Sequence, residues 1–240
     1  MNYHTGVYWN KGAVRDTNQD SLVALQALTS RGRVFLAVVC DGMGGLELGE
    51  YASGYLIEEL VTWFYGGFLD AVGKKKPLWV IRRSLERKVF QVQNRMDIYA
   101  KKKNVAMGTT MSTLLLWEKN YMFWHLGDSR IYRFTGKGKR RRFRLLTNDH
   151  VQGRNRLTKC VGSFGFFKPD FQMGVLERGE AFLLCSDGFW HTLEEKELEE
   201  TLAPVEMSEE KSEKRLRELG KAAMRRGEKD NLSAIYVWTE

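Results

Sequence analysis

The chain contains short apolar runs and longer amphipathic segments, which together predict a mixed α+β protein. Residues 34–40 form a continuous apolar run, as expected for a strand buried on both faces. Apolar residues at steps of three or four across 78–99 predict a long amphipathic helix. Further strands are predicted over 109–117, 121–126, 131–134, 142–146, 181–186 and 232–238, and further helices over 49–64, 193–202 and 208–226. Strands fill the middle and the ends, which favours helices stacked outside antiparallel sheets.

The bulk composition suits a globular protein. With 240 residues, 43% hydrophobic content and only 3 prolines, we expect a single domain over residues 1–240. No apolar run is long enough for a membrane span, and the N-terminus lacks a signal-peptide layout, so we expect a cytoplasmic protein. The 3 cysteines have no metal-ligand spacing, and reduced, buried thiols are expected.

The formal net charge of +8 is concentrated in three basic runs, at 74–76, 101–103 and 137–144. The third run lies between two predicted strands and fits a hairpin tip. Such runs could bind nucleic acid, although solvated loops and helix ends are the favoured interpretation. The last two runs are also candidates for docking acidic protein partners, because complementary charge speeds encounter. A nucleic-acid-binding protein therefore stays as an alternative that rests on charge alone.

Five aspartates in five separate short motifs carry the candidate chemistry. They are Asp20, Asp41, Asp128, Asp187 and Asp230. Three of them directly follow an apolar run that reads as a strand, where side chains from several strands can converge. Converging carboxylates repel one another unless a hard cation joins them. The sequence therefore predicts a site for divalent metal.

Each motif is a weak signal when taken alone. The Asp-Gly pairs at 41–42 and 187–188 could be ordinary turns, residues 127–130 could be a hairpin turn, and Asp230 could simply begin the last strand. Their order and joint presence are more specific. The motifs are Arg15-x-x-Asn-Gln-Asp20, Asp41-Gly-Met-Gly-Gly45, Gly108-Thr-Thr110, Gly127-Asp-Ser-Arg130, Leu146-Thr-Asn-Asp-His150, Ser186-Asp-Gly188 and Asp230-Asn231.

With these seven motifs in this order, nearly the whole chain resembles the metal-dependent serine/threonine phosphatases of protein phosphatase type 2C, in their bacterial form. The resemblance implies a β-sandwich of two antiparallel sheets flanked by helix pairs. It implies hydrolysis of phosphoserine and phosphothreonine by a water or hydroxide that bridges two metal ions. It also implies phosphorylated protein substrates and a signalling role opposite a Ser/Thr kinase.

The resemblance also assigns roles to individual residues. It implies that Asp41 bridges two Mn²⁺ or Mg²⁺ ions, that Asp187 and Asp230 complete the first site, and that the Gly42 carbonyl serves the second. It implies a third, weaker ion held by Asp128 with Asp187. Arg15 is expected to bind the substrate phosphate, and Asp20 is expected to hold or orient the attacking water. These residue types suit the chemistry, because Mg²⁺ and Mn²⁺ prefer oxygen ligands and an arginine fork fits phosphate.

Two departures from the family pattern bear on the site. Gln19 stands before Asp20 where many relatives carry an acidic residue, which removes one charge near the second ion. The segment between His150 and Leu157 is shorter than the flap of relatives, so we expect an open site that selects poorly among small esters.

Two histidines, His125 and His150, could be either structural or catalytic. His125 lies within a predicted strand and reads as structural. His150 matches a family position and could either donate a proton or cap its loop; both readings are open.

The alternative function is a catalytically weak phosphoprotein-binding scaffold on the same fold. The full aspartate set argues against it, because a binder would not need metal ligands.

Overall fold

The computed structural model describes residues 1–43, 48–136, 142–153, 156–203 and 207–240. Its strands are β1 (Tyr3–Asn10), β2 (Asp20–Thr29), β3 (Gly32–Asp41), β4 (Gly108–Thr109), β5 (Met111–Trp117), β6 (Asn120–Leu126), β7 (Arg130–Thr135), β8 (Arg142–Leu145), β9 (Val151–Gln152), β10 (Arg156–Leu157), β11 (Val161–Gly162), β12 (Asp170–Val175), β13 (Ala181–Cys185) and β14 (Leu232–Thr239). Its helices are α1 (Gly49–Thr62), α2 (Leu69–Gly73), α3 (Leu78–Lys103), α4 (Asp187–Trp190), α5 (Glu195–Leu202) and α6 (Glu209–Arg225). A π-helical turn, Trp63–Phe68, joins α1 to α2.

Ten strands form two five-stranded antiparallel sheets. The first sheet has the order β1-β14-β13-β7-β8, and the second has the order β12-β6-β5-β3-β2. Two short ladders, β9 with β10 and β4 with β11, lie outside these sheets. The predicted sandwich of antiparallel sheets and helices is therefore confirmed.

Strand β3 shows why this sequence folds into layers. Phe35, Ala37 and Val39 face the other sheet, while alternate residues such as Leu36 and Val38 face the helices. All residues from 34 to 40 are fully buried, because both faces of the strand are covered. Helices α1 and α3 cover the outer face of the second sheet, and α5 and α6 cover the first sheet.

The predicted elements appear close to their expected bounds, with two differences. The expected helix over 49–64 continues through the π-helical turn into α2, and the expected strand over 109–117 is interrupted at Thr110. Strands β7 and β8, which flank the third basic run, pair with each other, with Thr135 opposite Arg142. Residues 137–141 of that run fall outside the described residues, so the expected hairpin tip stays a prediction. Within the described part of the chain, no helix is long and apolar enough to cross a membrane.

The reading of residues 127–130 as a hairpin turn is wrong. Strands β6 and β7 belong to different sheets, so this segment crosses from one layer of the sandwich to the other. Gly127 has φ of +113° in this crossover, and a Cβ there would lie 2.6 Å from Thr110 Cβ. The tight crossover fixes Asp128 at one end of the sandwich, between the two sheets.

A close approach between α6 and β1 gives a test of the packing. A Cβ on Gly220 would collide with the Tyr8 ring. Gly220→Ala should therefore lower the free energy of unfolding by roughly 1–3 kcal/mol, despite the ~1 kcal/mol better helix propensity of alanine. The measurement is urea denaturation. Gly66→Ala is the matched control, because that exposed helical glycine has no atom within 4 Å of the added Cβ; it should stabilise by about 0.5–1 kcal/mol. Equal stabilisation by both substitutions would contradict the packing.

Candidate metal centre and active site

The five aspartates come from both sheets and from the crossover between them. Asp20 and Asp41 are register partners on β2 and β3 of the second sheet. Asp187 follows β13 and Asp230 precedes β14, which are neighbours in the first sheet. Asp128 lies in the crossover segment. Four of the five, all but Asp20, line one cavity of about 930 Å³, and Arg15 lines the same cavity.

Asp41 is held through its backbone. Its N–H donates to Thr110 Oγ1 (2.9 Å), and its carbonyl accepts from the Thr110 N–H (2.8 Å) and from Thr109 Oγ1 (2.9 Å). The carboxyl group lines the cavity, where it interacts with the carboxyl group of Asp187. At Gly42 the N–H donates to the Gln19 carbonyl at 3.1 Å. A Cβ on Gly42 would lie 2.6 Å from that carbonyl oxygen and would also collide with Gly49, so only glycine fits this turn. Residues 44–47 of the Gly-rich motif fall outside the described residues.

Asp20 joins the two sheets through one hydrogen bond. Ser186 Oγ donates to Asp20 Oδ2 at 2.9 Å and accepts from the Ser233 N–H at 3.0 Å. The other carboxylate oxygen of Asp20, Oδ1, is buried and has no hydrogen-bond partner among the residues that the structure describes. Asp20 does not line the cavity surface and lies behind it, 2% exposed.

Arg15 and Asp230 form an ion pair at the cavity wall. Arg15 Nη2 donates to Asp230 Oδ2 at 2.8 Å, while 40% of the Arg15 side chain stays exposed. Neighbouring Asn231 holds the segment that carries Arg15: its side-chain amide donates to the Lys11 and Thr17 carbonyls and accepts from the Gln19 N–H. The arginine is therefore positioned from the first sheet, although it lies in the loop between β1 and β2.

Helix α4 links Asp187 to Asp128. Asp187 begins this helix, and Trp190 at its other end donates from Nε1 to the Asp128 carbonyl at 3.1 Å. The Arg130 guanidinium lies 3.3 Å from the centre of the Trp190 ring and pairs with Asp149 at 2.7 Å. This stack fixes the crossover against α4. Asp187 Oδ1 is buried without a hydrogen-bond partner.

Burial and mutual repulsion raise the pKa values of four carboxyl groups, those of Asp20, Asp41, Asp128 and Asp187. Burial raises the pKa of Asp20 to about 7, and the charges of Asp187 and Asp230 add to this increase. Burial and then the Asp187 charge raise the pKa of Asp128 to about 7. The pKa of Asp41 is raised well above its usual value by burial and then by Asp20 and Asp187. Burial also raises the pKa of Asp187.

These groups fit small, hard divalent cations. Among the described residues, no three Asp, Glu, His or Cys side chains form a group that could hold an ion by themselves. Mg²⁺ commonly uses one or two carboxylates and keeps several waters, so pairs of aspartates with a backbone carbonyl suffice. Asp187 Oδ1 has no hydrogen-bond partner among the described residues, and the pKa values of the cavity aspartates Asp41, Asp128 and Asp187 are raised; a bound cation would relieve both.

The short flap forms part of the cavity wall. Gln152 of β9, Arg156 and Leu157 of β10, and Thr158 line it. The ladder between β11 and β4 anchors the segment after the flap beside Thr109, close to Asp41. Residues 154–155 between β9 and β10 fall outside the described residues. The effect of the short flap on selectivity stays a prediction.

The two histidines stack on each other behind the site, with ring centres 5.0 Å apart. His125 is fully buried, contacts Ser112 Oγ and the Asn148 carbonyl, and its pKa is lowered to about 4 by burial. His150 Nδ1 accepts from the Gly127 N–H at 3.1 Å, and its Nε2 faces Asp170. His125 is therefore structural, as predicted. His150 holds the crossover loop, which favours the capping interpretation. Cys40, Cys160 and Cys185 are free and buried, also as predicted.

Several residues that shape the site were not assigned roles from the sequence. Thr110, Ser186 and Asn231 lay within the recognised motifs, but only the structure shows that they hold the aspartates and the Arg15 loop. The apolar wall of the cavity had no recognised motif. It consists of Met43, Leu157, Cys160, Phe164 and Phe167. The sequence feature that could have indicated this wall is the group of three phenylalanines within residues 164–167.

The raised pKa values predict an unusual pH dependence for the protein in chelator. Asp20 and Asp128 keep their protons up to about pH 7 when folded, while unfolded carboxyls lose them near pH 4. Between these limits the folded state binds more protons, so its stability falls as pH rises. The melting temperature in chelator should therefore be higher at about pH 6 than at about pH 8.

Excess Mn²⁺ should stabilise the protein more at the higher pH, because ligand carboxylates must be ionised. The control is Asp20→Asn combined with Asp128→Asn, which should flatten the dependence seen in chelator. A wild-type melting temperature that rises from about pH 6 to about pH 8 in chelator would contradict the raised pKa values.

Known proteins share both this sequence pattern and this fold. The sequence pattern of the family described as protein phosphatase 2C matches residues 13–226. Protein phosphatase PhpP of Streptococcus pneumoniae is 25% identical over 206 residues, covering 78% of this chain and 79% of its own.

Two solved structures extend the comparison to the fold. The serine/threonine phosphatase of S. agalactiae superposes with a TM-score of 0.80 over the full length of both chains at 24% identity. The catalytic domain of the phosphatase PstP, solved in complex with two manganese ions, superposes with a TM-score of 0.73 at 24% identity, covering 98% of this chain and 97% of its own. Because the family pattern covers most of the sequence and the same motifs converge in one cavity, this chain belongs to the protein phosphatase 2C family.

Proposed function

We propose that this chain is a metal-dependent phosphoprotein phosphatase that hydrolyses phosphoserine and phosphothreonine. The observation that carries the proposal is the set of four half-buried aspartates that line one cavity with Arg15. Membership of the protein phosphatase 2C family supports it, and relatives such as PhpP are named as protein phosphatases. The direct test is hydrolysis of a small phosphate ester and of phosphopeptides, each with Mn²⁺ and with excess chelator.

The residues present would hold two or three Mn²⁺ or Mg²⁺ ions. We assign Asp41 as the ligand shared by two ions, with Asp187 and Asp230 completing the first site and the Gly42 carbonyl serving the second. Asp128 with Asp187 would hold a third. When bound, such cations activate a water as nucleophile and screen the charge of the phosphoryl oxygens.

The chain's own side chains would perform the remaining tasks. Arg15 keeps N–H groups beyond the one that contacts Asp230, and these can bind two phosphoryl oxygens in parallel. Asp20 presents one unpaired buried oxygen and is fixed through the other by Ser186, so it can orient the attacking water. Because Asp20 and Asp41 are opposite each other on paired strands, the water and the metal ligands share one rigid support.

A catalytically weak phosphoprotein-binding scaffold is the alternative on the same fold. It would bind phosphopeptides through Arg15 without turning them over. The strained carboxylate cluster argues against it, because phosphate binding alone would favour fewer negative charges in the cavity. Phosphopeptide binding without Mn²⁺-dependent release of phosphate would favour the scaffold.

The cellular setting is proposed from the same chemistry. A phosphoprotein phosphatase reverses a Ser/Thr kinase, so a signalling role opposite such a kinase follows. We propose a single catalytic domain over residues 1–240 that acts in the cytoplasm. The exposed lysines at the end of α3 are candidate contacts for acidic substrates, although Lys101 also pairs with Asp97 at 2.6 Å.

Asp41→Asn tests the shared metal ligand. Because outer-shell partners of metal ligands already contribute about 10–100-fold, loss of the shared ligand should lower kcat by at least about a hundredfold. The fold should persist, and in chelator the variant should melt at or above the wild-type temperature because one repelling charge is gone. Asp70→Asn is the control, since that exposed aspartate only pairs with Lys74. Full activity of Asp41→Asn would rule out the assigned role.

Arg15→Ala tests phosphate binding. A hydrogen bond to a charged group contributes about 1.5–3 kcal/mol, so kcat/KM should fall by roughly 10–150-fold. The loss should appear mainly in KM, with a lower kcat if the contact tightens in the transition state. Arg95→Ala removes a similar 2.8 Å ion pair from α3 and should leave kcat/KM unchanged. An unchanged kcat/KM for Arg15→Ala would remove this residue from the site.

A further inference from the structure

A loop of residues 163–167, here named the phenylalanine loop, is fastened at both ends. At its start, Ser163 donates its N–H to the Met107 carbonyl at 2.9 Å, and Ser163 Oγ accepts from the Met107 N–H at 3.1 Å. At its end, the buried Gln93 amide accepts from the Phe167 N–H at 3.0 Å and donates to the Phe167 carbonyl at 3.1 Å. Helix α3 thus holds the loop in place through Gln93.

Between these anchors the loop presents two phenyl rings to solvent. Phe164 is 46% exposed and Phe166 is 51% exposed, on either side of Gly165 with φ of +98°. The Phe166 ring meets the half-exposed Phe90 ring edge to face at 4.9 Å. The Phe164 ring lies over Gly108, where a Cβ would be 3.1 Å from its Cε2 atom. Single exposed apolar residues are common, but a fixed aromatic cluster marks a contact surface.

The phenylalanine loop continues directly into the catalytic cavity. Phe164 and Phe167 line the same cavity as Asp41 and Asp187. The cavity lining therefore combines the aspartates and Arg15 with the apolar wall that includes Phe164 and Phe167, and with polar residues of the short flap. A phosphate group would use only the charged part of the lining. A peptide bearing that phosphate would also meet the apolar wall, where an apolar side chain could leave water.

We propose that the phenylalanine loop binds an aliphatic or aromatic side chain of the phosphorylated substrate, next to the phosphoserine or phosphothreonine. This inference rests on the proposed phosphatase function and adds a sequence preference to it. The cavity, on the order of 10 Å across, spans about three residues of extended chain. The preferred apolar residue therefore lies within about three positions of the phosphorylated one.

Paired phosphothreonine peptides test the preference. In a common peptide, each position within three residues of the phosphothreonine is occupied in turn by leucine or by glutamine, which have similar size. Initial rates with Mn²⁺ give kcat/KM for each peptide. At one or two neighbouring positions, leucine should exceed glutamine by about tenfold, as expected for one apolar side chain in a partly open site.

Variants of the loop connect that preference to the structure. Phe164→Ser and Phe166→Ser should reduce the leucine-to-glutamine ratio to about one to three, since each removes part of the apolar surface. Phe164→Leu should keep most of the ratio, because it preserves an apolar contact. Tyr65→Ser is the matched control, since Tyr65 is an aromatic residue of similar exposure on the π-helical turn; it should retain the wild-type ratio. Melting temperatures confirm that each variant is folded.

The side-chain preference and the phosphatase function would fail in different ways in these experiments. If wild type hydrolyses the peptides with a ratio near one at every position, the inference is overturned while the phosphatase function stands. A wild-type ratio retained by folded Phe164→Ser and Phe166→Ser also overturns it. If these variants instead abolish self-association of the wild type without changing the ratio, the surface joins two copies of the chain and the inference again fails. Absence of Mn²⁺-dependent hydrolysis of both ester and peptides overturns the phosphatase function and the inference with it.

Discussion

Repulsion between half-buried carboxylates is the constraint around which this end of the molecule is organised. Asp41 and Asp187 approach each other from opposite sheets, and their partial burial limits the screening of this repulsion by water. Hydrophobic packing between the sheets opposes the repulsion. The layer of Phe35, Leu114 and Ile235 between the sheets supplies such packing over the rest of their area. The apolar packing between the sheets therefore offsets the unfavourable repulsion among the carboxylates of the site.

Hydrogen bonds from neutral polar side chains position the residues of the site on the packed sheets. Ser186 bonds across the sheets to Asp20, and Asn231 gathers the backbone of the Arg15 loop through three hydrogen bonds. Trp190, stacked on Arg130, ties α4 to the crossover that carries Asp128. None of these groups adds negative charge to the cluster. Ser186 positions the Asp20 carboxylate directly, and the other contacts position the backbone that carries Arg15 and Asp128. The charges of the carboxylates are left to be compensated by a cation or a proton.

The sequence predicted the strands and helices whose apolar faces are completely buried, and it was less informative about elements that are only partly buried. The run 34–40 and the long helix α3 were predicted because both faces of the strand, or one clear stripe of the helix, are apolar. Strands β1, β2 and β12 were not predicted, and all three lie at the edges of the sheets. Edge strands are covered on fewer sides, so their apolar periodicity is mixed, as the half-buried residues of β2 show. Composition and spacing did not recover these three strands, although they did recover β8, the remaining edge strand of the two sheets.

In the candidate site, too, some features could be predicted from local sequence and others could not. The five aspartates were found because strand ends and Asp-Gly pairs leave a local signal, and the resemblance supplied their roles. The crossover at 127–130 was misread, because a short Gly-containing turn looks the same whether it returns to its own sheet or crosses to another. The apolar wall was missed because Met43, Leu157 and Phe164 are distant in sequence and meet only through the fold. Long-range contacts of this kind depend on topology, which one sequence does not display.

The division of the aspartates between the two sheets has a consequence for the order of folding. Asp20 and Asp41 can take their positions once the second sheet has formed, and Asp187 and Asp230 once the first has formed. The close approach of Asp41 to Asp187 exists only after the two sheets have docked. Under the proposed assignment of Asp41 and Asp187 as metal ligands, cation binding to this pair would be a late event that follows docking of the sheets. Such a cation would then stabilise the closed sandwich relative to partly assembled forms, because only the closed form brings both ligands together.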